Sequence, residues 1–177
     1  MKKYKIVIPF LLLSMSLVGC TKIDSISVHR NLADIESDKF IYLDNEAMAL
    51  ADSTSDTGLR AEALEACNII NEIRAEAGLD SLTWDSNLET VASVRANEIS
   101  KNFSHTRPNG KQWYTVNSKI QGGENLAYGF DNANDVVDAW MNSPTHKENI
   151  LYDEFEKIAI SIYEDNGTLY WSQEYGY

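Results

Sequence analysis

The chain has 177 residues, of which 15 are lysine or arginine and 27 are aspartate or glutamate, so its formal net charge is −12. Affinity for nucleic acid comes mainly from Lys and Arg side chains that neutralise phosphates. The acidic composition therefore argues against nucleic acid as a partner, and the length fits one ordinary domain with an extension.

The first 19 residues have the pattern of an export signal. Residues 1–5 are cationic, and the apolar run over residues 6–18 is too short to cross a bilayer, which takes about 20 residues. We therefore expect residues 1–19 to be cleaved off. The loss of Lys2, Lys3 and Lys5 would shift the formal net charge from −12 to −15.

The apolar run ends in Leu17-Val18-Gly19-Cys20, which resembles the lipobox of bacterial lipoproteins. The resemblance implies that Cys20 is acylated and anchors the chain to the extracytoplasmic side of a bacterial membrane. Two or three acyl chains give stable attachment, because each buried methylene contributes about 0.8 kcal/mol. The alternative is a chance cysteine after an ordinary signal, and the sequence does not decide between an inner and an outer membrane.

Acylation of Cys20 would leave Cys67 as the remaining thiol, so we expect no intramolecular disulfide. Cys67 falls in a helical apolar pattern with Leu64 and Ile70, which favours a buried core residue. A catalytic thiol is the less favoured alternative, because no neighbouring feature would lower its pKa.

Residues 20–58 are expected to form a lipidated tether that is partly structured at most. This segment is rich in Ser, Asp and Asn and shows little periodicity. Two apolar patches, residues 40–43 and 47–51, either belong to the tether or dock on the domain that follows, and the sequence leaves both possibilities open.

From residue 59 onward the pattern becomes regular. Apolar residues at three- and four-residue steps predict a first helix that stops at Gly78. Asp85 is the expected N-cap of a second helix that runs to about Asn102. The inner face of that helix is expected to comprise Leu88, Val91, Ala92, Arg95, Ala96 and Ile99.

A third helix is expected over residues 132–142, and Ser143-Pro144 suits the cap and first position of a short helix through Ile150. Two β-rich runs, residues 157–163 and 168–175, flank Asn-Gly and predict a terminal hairpin. Helices followed by a hairpin indicate an α+β or layered αβα domain.

Two histidines and one acid stand in unusual local settings. His105 follows the second helix, His146 begins the fourth, and Glu124 follows two glycines that allow a close backbone approach. Two imidazoles and a carboxylate suit a divalent cation such as zinc. The alternative is that His146 packs within its own helical turn and His105 is a solvated loop residue. The third histidine, His29, lies in the expected tether.

Four ordered motifs resemble the CAP superfamily, which includes cysteine-rich secretory proteins, antigen 5 and pathogenesis-related 1 proteins. The similarity is to its bacterial, disulfide-free branch, and we assign residues 59–177 to a CAP/SCP-like domain. The motifs are SHTRPNG (104–110), GGENLAYG (122–129), VVDAWMNSPTHKENIL (136–151) and YWSQEYG (170–176).

The resemblance implies a three-layer αβα sandwich with a shallow cleft that holds His105, Glu124 and His146, often around a divalent metal. Many members have a second glutamate three residues after the tryptophan of the third helix. This chain has Ser143 there, which should weaken a metal site. Since metal binding needs neutral imidazole, affinity for zinc should fall below about pH 6.

Several aromatic residues accompany these motifs, and we interpret them as core or cleft-wall residues. They are Tyr128, Trp140, Tyr170 and Trp171.

Three functions fit the sequence. The favoured one is a membrane-anchored module whose cleft binds an envelope lipid, peptide or protein. The alternative is a metal-dependent hydrolase, a peptidase or esterase, but the chain has no HExxH or GxSxG motif and no evident second carboxylate to act as base beside Glu124. The third is a passive spacer. No catalytic residue is assigned.

Overall fold

The structure, a computed structural model, describes residues 57–177 and, nearer the N-terminus, the backbone of residues 22–23 and 28–29. The expected signal, Cys20 and the apolar patches 40–43 and 47–51 lie outside the described residues.

The described part of the chain contains four α-helices, six strands and one 3₁₀ turn. In chain order they are β1 (Lys22–Ile23), β2 (Val28–His29), α1 (Thr57–Glu76), β3 (Thr83–Trp84), α2 (Ser86–Lys101), the 3₁₀ turn (Trp113–Val116), β4 (Gly123–Tyr128), α3 (Ala133–Met141), α4 (Pro144–Ile150), β5 (Lys157–Asp165) and β6 (Thr168–Gly176).

The six described strands form one sheet in the order β1-β4-β6-β5-β3, with β2 also paired to β4. The short β3 runs parallel to β5, and the other pairs are antiparallel. The two longest strands, β5 and β6, therefore occupy the middle of the sheet although they come last in the chain.

Helices cover both faces of the sheet. Successive residues of a strand point to opposite faces, and on β4 the side chain of Glu124 meets α2 through Arg95, whereas that of Asn125 meets α4 through Asn149. The face toward α1 and α3 is mainly apolar; its core includes Ala63, Ala66, Ile70, Val136, Val137, Trp140, Ile158, Ile160, Ile162 and Trp171. The α+β, three-layer αβα architecture expected from the sequence is confirmed.

Asp85 and the Asn-Gly turn have their expected roles, whereas Ser143 stands at the N-cap position of α4 without a side-chain capping hydrogen bond, because its hydroxyl contacts Nδ1 of His146. Asp85 caps α2, because its carboxylate accepts hydrogen bonds from the backbone N–H groups of Asn87 and Leu88. The β5–β6 turn places Asn166 and Gly167 at φ of 50° and 79°, the left-handed conformation that Asn-Gly tolerates.

No local signal predicted that residues 123–128 form a strand, although β4 is the strand that carries Glu124. All of β4 except Tyr128 is buried, so it lacks the alternation of apolar and polar residues that marks a half-exposed strand. Gly122 and Gly123 let the strand approach Phe155, since a Cβ at either would lie 2.9 or 2.8 Å from the aromatic ring.

Part of the expected tether pairs with the domain. The backbone of β1 places Lys22 opposite Tyr128 and Ile23 opposite Ala127, and β2 places Val28 opposite Glu124. Both short strands add to the outer edge of β4, which would otherwise expose unpaired backbone groups. Among the described residues, no helix is long and apolar enough to span a membrane.

Candidate functional site

A buried guanidinium lies at the centre of the site. Arg95 projects from the inner face of α2 and is fully buried. Its Nε donates to Oε2 of Glu124 at 2.6 Å, its Nη1 donates to Oε2 of Glu98 at 2.6 Å, and its Nη2 donates to the carbonyl oxygen of Ser104 at 2.8 Å. Arg95 thus links α2 to strand β4 and to the loop that carries His105.

The Glu124 carboxylate holds His105. Nδ1 of His105 lies 2.6 Å from Oε1 of Glu124, and Oε2 of Glu124 accepts from Arg95. Burial opposes ionisation of Glu124, but the charge of Arg95 and the contact with His105 lower the pKa of Glu124 to about 2. Because an ionised carboxylate can only accept, Nδ1 of His105 carries the donated proton.

A second carboxyl group lies beside the first. Glu174 is the cross-strand partner of Glu124 on β6 and is fully buried. It accepts hydrogen bonds from Nε2 of Gln121 at 2.9 Å and from the hydroxyl of Ser172 at 3.0 Å, and it is hydrogen-bonded to Glu124. Burial, and then the Glu124 charge, raise the pKa of Glu174 well above its usual value. Glu174 is therefore the protonated member of a carboxyl–carboxylate pair.

A further ion pair fixes the loop beyond His105. Nη2 of Arg107 donates to Oε1 of Glu98 at 2.7 Å, and its Nε donates to the same oxygen at 2.9 Å. Glu98 also accepts from Arg95, so two arginines and the ionised carboxylates of Glu98 and Glu124 balance one another. This network holds both ends of the segment 104–107 against α2.

Two of the three expected cleft residues come together, and the third does not join them in the described contacts. His146 lies in α4, where its Nδ1 contacts the hydroxyl of Ser143 at 2.8 Å and its backbone oxygen accepts from Asn125. Asn125 points to the sheet face opposite that of Glu124. In the described contacts His146 packs within its own helical turn, and the site residues that contact each other are His105 and Glu124.

The donor set at this pair does not suit a divalent cation. Both oxygens of Glu124 are engaged, and the positive charge of Arg95 lies 2.6 Å from one of them, where it would repel a metal ion. Among the residues that the structure describes, no group of three or more His, Cys, Asp or Glu side chains is arranged to hold a metal.

Sequence reasoning missed most of the charged network. A signal for Arg95 was present, because a charged residue on the inner face of a helix needs a buried partner. The role of Glu174 follows from its pairing with Glu124, which depends on the register of two strands 50 residues apart. Glu174 is a second carboxyl group beside Glu124 that the sequence did not indicate, and its raised pKa favours the protonated form.

A model of the CAP, cysteine-rich secretory protein family matches residues 67–175. The Bacillus subtilis protein YkwD is 29% identical over 143 residues, a match that covers 74% of this chain and 55% of YkwD. The chain thus spans about half the length of that relative.

Two solved structures share the fold. An outer surface protein of Borrelia burgdorferi is 27% identical with a TM-score of 0.61, covering 68% of this chain and 94% of that protein. An extracellular protein of Bacillus anthracis that contains an SCP domain is 24% identical with a TM-score of 0.59, covering 66% of this chain and 40% of that protein. With four motifs, the αβα architecture and the family match in agreement, this chain belongs to the CAP, or cysteine-rich secretory protein, family.

Proposed function

We propose that this protein is an envelope-anchored CAP domain that binds a ligand at the cleft formed by His105 and Glu124. The observation that carries the proposal is the chain of contacts from Arg95 through Glu124 to His105. It fixes the imidazole of a side chain that remains 12% exposed. A polar group that is already oriented loses little conformational freedom when a ligand binds.

The chemistry of the cleft favours a ligand with both polar and apolar parts. Nδ1 of His105 faces the Glu124 carboxylate, and the matching group of a ligand is a polar group, such as a hydroxyl or amide, that can hydrogen-bond to an imidazole. The half-buried rings of Phe103 and Tyr128 contact each other, Phe103 is two residues from His105 in the chain, and the two rings would supply apolar contact. Envelope lipids and peptides both have this combination.

Metal-dependent hydrolysis is the less favoured function. A metal-bound water would need ligands that the pair does not supply, because Arg95 neutralises the Glu124 carboxylate. The lowered pKa of Glu124 also makes it a poor general base, and the second carboxyl group, Glu174, is protonated and fully buried.

The proposed location is the extracytoplasmic side of a bacterial membrane, with Cys20 as the acylated residue. The Leu17–Cys20 motif supports this, as do the names of similar proteins: an outer surface protein of Borrelia burgdorferi and a membrane protein, YlbC, of Bacillus subtilis.

Cell fractionation tests the anchor. Cys20→Ser should move the protein from the membrane fraction to the soluble fraction, because no acyl chain can then be attached. Cys67→Ser is the matched control and should leave the protein in the membrane fraction. Retention of the Cys20→Ser protein in the membrane fraction would contradict the anchor.

Nuclear magnetic resonance tests the cleft. The Cys20→Ser protein would be titrated, in separate arms, with micelles of envelope lipid and with peptidoglycan-derived peptides. We expect saturable shifts of the His105 imidazole and of the backbone over residues 103–107 and 123–128 in one arm.

Two glutamine variants distinguish the two-residue cleft from the three-residue cleft. His105→Gln should abolish binding, whereas His146→Gln, on the other helical layer, should retain it. No saturable shift in either arm would refute a cleft ligand of these two classes, and equal loss in both variants would favour the three-residue cleft.

A further inference from the structure

The position of β1 fixes where the anchor can be. This inference rests on the proposed acylation of Cys20. Only Thr21 separates Cys20 from Lys22, and the backbone of Lys22 pairs with Tyr128 at the end of β4. Consecutive Cα atoms are about 3.8 Å apart, and paired strand residues are about 5 Å apart. Two peptide links therefore join Cys20 to a residue whose backbone pairs with Tyr128, and two links span at most about 8 Å.

This is a much shorter connection than a flexible tether would give. If residues 20–57 were an unpaired chain, the mean distance from Cys20 to the start of α1 would be about 33 Å, and the domain could turn freely above the membrane. Pairing of β1 removes that freedom, because the acyl chains then insert next to one defined end of the sheet.

Aromatic side chains occupy that same end. The rings of Phe103 and Tyr128 meet edge to face at 4.7 Å between centroids, and Tyr128 stacks on Tyr170 at 5.6 Å. All three side chains are half-buried, and we call them the aromatic patch. Tyrosine rings favour the interface of a bilayer, since their bodies are apolar and their hydroxyl groups polar.

We propose that the aromatic patch rests on the surface of the membrane in which the Cys20 anchor is inserted, so that the domain is held in one orientation. Two independent observations converge on this: the register of β1 and the position of the patch. The cleft at His105, two residues from Phe103, would then open close to the lipid headgroups.

The charges around the patch indicate which lipids suffice. Lys101 is exposed beside it, but Asp131 and Glu164 are exposed near the same end of the sheet. One lysine against two acidic side chains leaves no net positive charge to attract anionic lipids, so the contact should depend on the aromatic rings. A zwitterionic phosphatidylcholine surface should therefore be enough.

Fluorescence quenching on vesicles tests the orientation. The acylated protein, with a fluorophore on Lys101→Cys, would be reconstituted in phosphatidylcholine vesicles that contain nitroxide-headgroup lipid. Acylation consumes the Cys20 sulfur and Cys67 is buried, so the introduced cysteine is the reactive thiol. The matched label is Asp80→Cys. Asp80 is exposed next to β3, at the end of the sheet opposite the aromatic patch, and these two ends are about 17 Å apart along the strands.

We expect at least threefold stronger quenching at position 101 than at position 80. The ratio should fall toward one in a Tyr128→Ser/Tyr170→Ser variant, and also in Ile23→Pro, which removes a backbone donor from β1 without touching the patch. Circular dichroism would check that each variant is folded.

Flotation of the vesicles distinguishes a failure of the acyl anchor from a failure of the proposed orientation. Protein that does not float with the vesicles is not anchored, which would refute the acylation on which the inference rests. Protein that floats but shows equal quenching at positions 101 and 80 would refute the contact of the aromatic patch with the membrane and leave the anchor intact. A quenching ratio that neither variant changes would refute that contact as well.

Discussion

At the scale of single residues, Arg95 is the side chain on which the site depends. Its guanidinium is fully buried and contacts two carboxylates, Glu124 and Glu98. Although burial works to lower it, these carboxylates raise the pKa of Arg95, so the three groups stay charged together. Removal of the cation would leave buried charges without compensation.

Arg95→Met should therefore destabilise the domain by about 3–5 kcal/mol, measured by urea unfolding of the Cys20→Ser protein. Arg60→Ala is the matched control, because Arg60 pairs with Glu89 at the surface with its side chain 53% exposed, and such pairs contribute about 0–1 kcal/mol. Similar losses in the two variants would contradict a central role for Arg95.

Glu174 gives stability an unusual dependence on pH. The pKa of Glu174 is raised in the folded protein. Its contribution to stability is therefore complete at pH values below its pKa in the unfolded chain, and it is lost as the pH rises toward its pKa in the folded protein. Glu174→Gln keeps a hydrogen-bond donor toward Glu124 and cannot ionise. The free energy of unfolding of Glu174→Gln relative to wild type should therefore increase between pH 4.5 and pH 8 in urea titrations. A constant difference over this range would show that Glu174 is not protonated in the fold.

At the scale of elements, the sequence predicted those parts whose signals are local. The cap at Asp85, the Asn-Gly turn and the helical periodicity depend on neighbouring residues, and each is found in the structure. Neither β4 nor the Glu124–Glu174 pair has such a signal, because both are set by strand register between distant segments. His146 shows the same limit: it lies near Trp140 and Ser143 in the chain, and its described side-chain contact is with Ser143.

The cap of α2 allows a direct test at this scale. Asp85→Ala should cost about 1 kcal/mol, because the N–H groups of Asn87 and Leu88 lose their acceptor. Asp85→Asn should retain most of the stability, since its amide oxygen can accept the same bonds. Thermal unfolding of the two variants would reveal the difference, and a stable Asp85→Ala protein would show that α2 does not need its cap.

At the scale of the whole molecule, the buried thiol reports on global unfolding. Cys67 is buried in α1, and burial raises its pKa to about 11. In the Cys20→Ser protein, a thiol reagent at pH 7.5 should therefore modify Cys67 only as fast as the domain unfolds. The Asp80→Cys variant of that protein gains an exposed thiol as a control and should react at once. Immediate modification of Cys67 in the native protein would contradict this burial.

The order of the strands also bears on the export that residues 1–20 predict. Thr83 of β3 pairs with Lys157, which lies 74 positions later in the chain. The strand β6, which ends at Gly176, is hydrogen-bonded to a strand on each side. A nascent chain emerging from a translocation channel can therefore complete its sheet only when nearly all of it has passed through. Deletion of residues 168–177 should abolish cooperative thermal melting by circular dichroism, and late completion of the sheet would keep an exported chain unfolded during its passage through the channel.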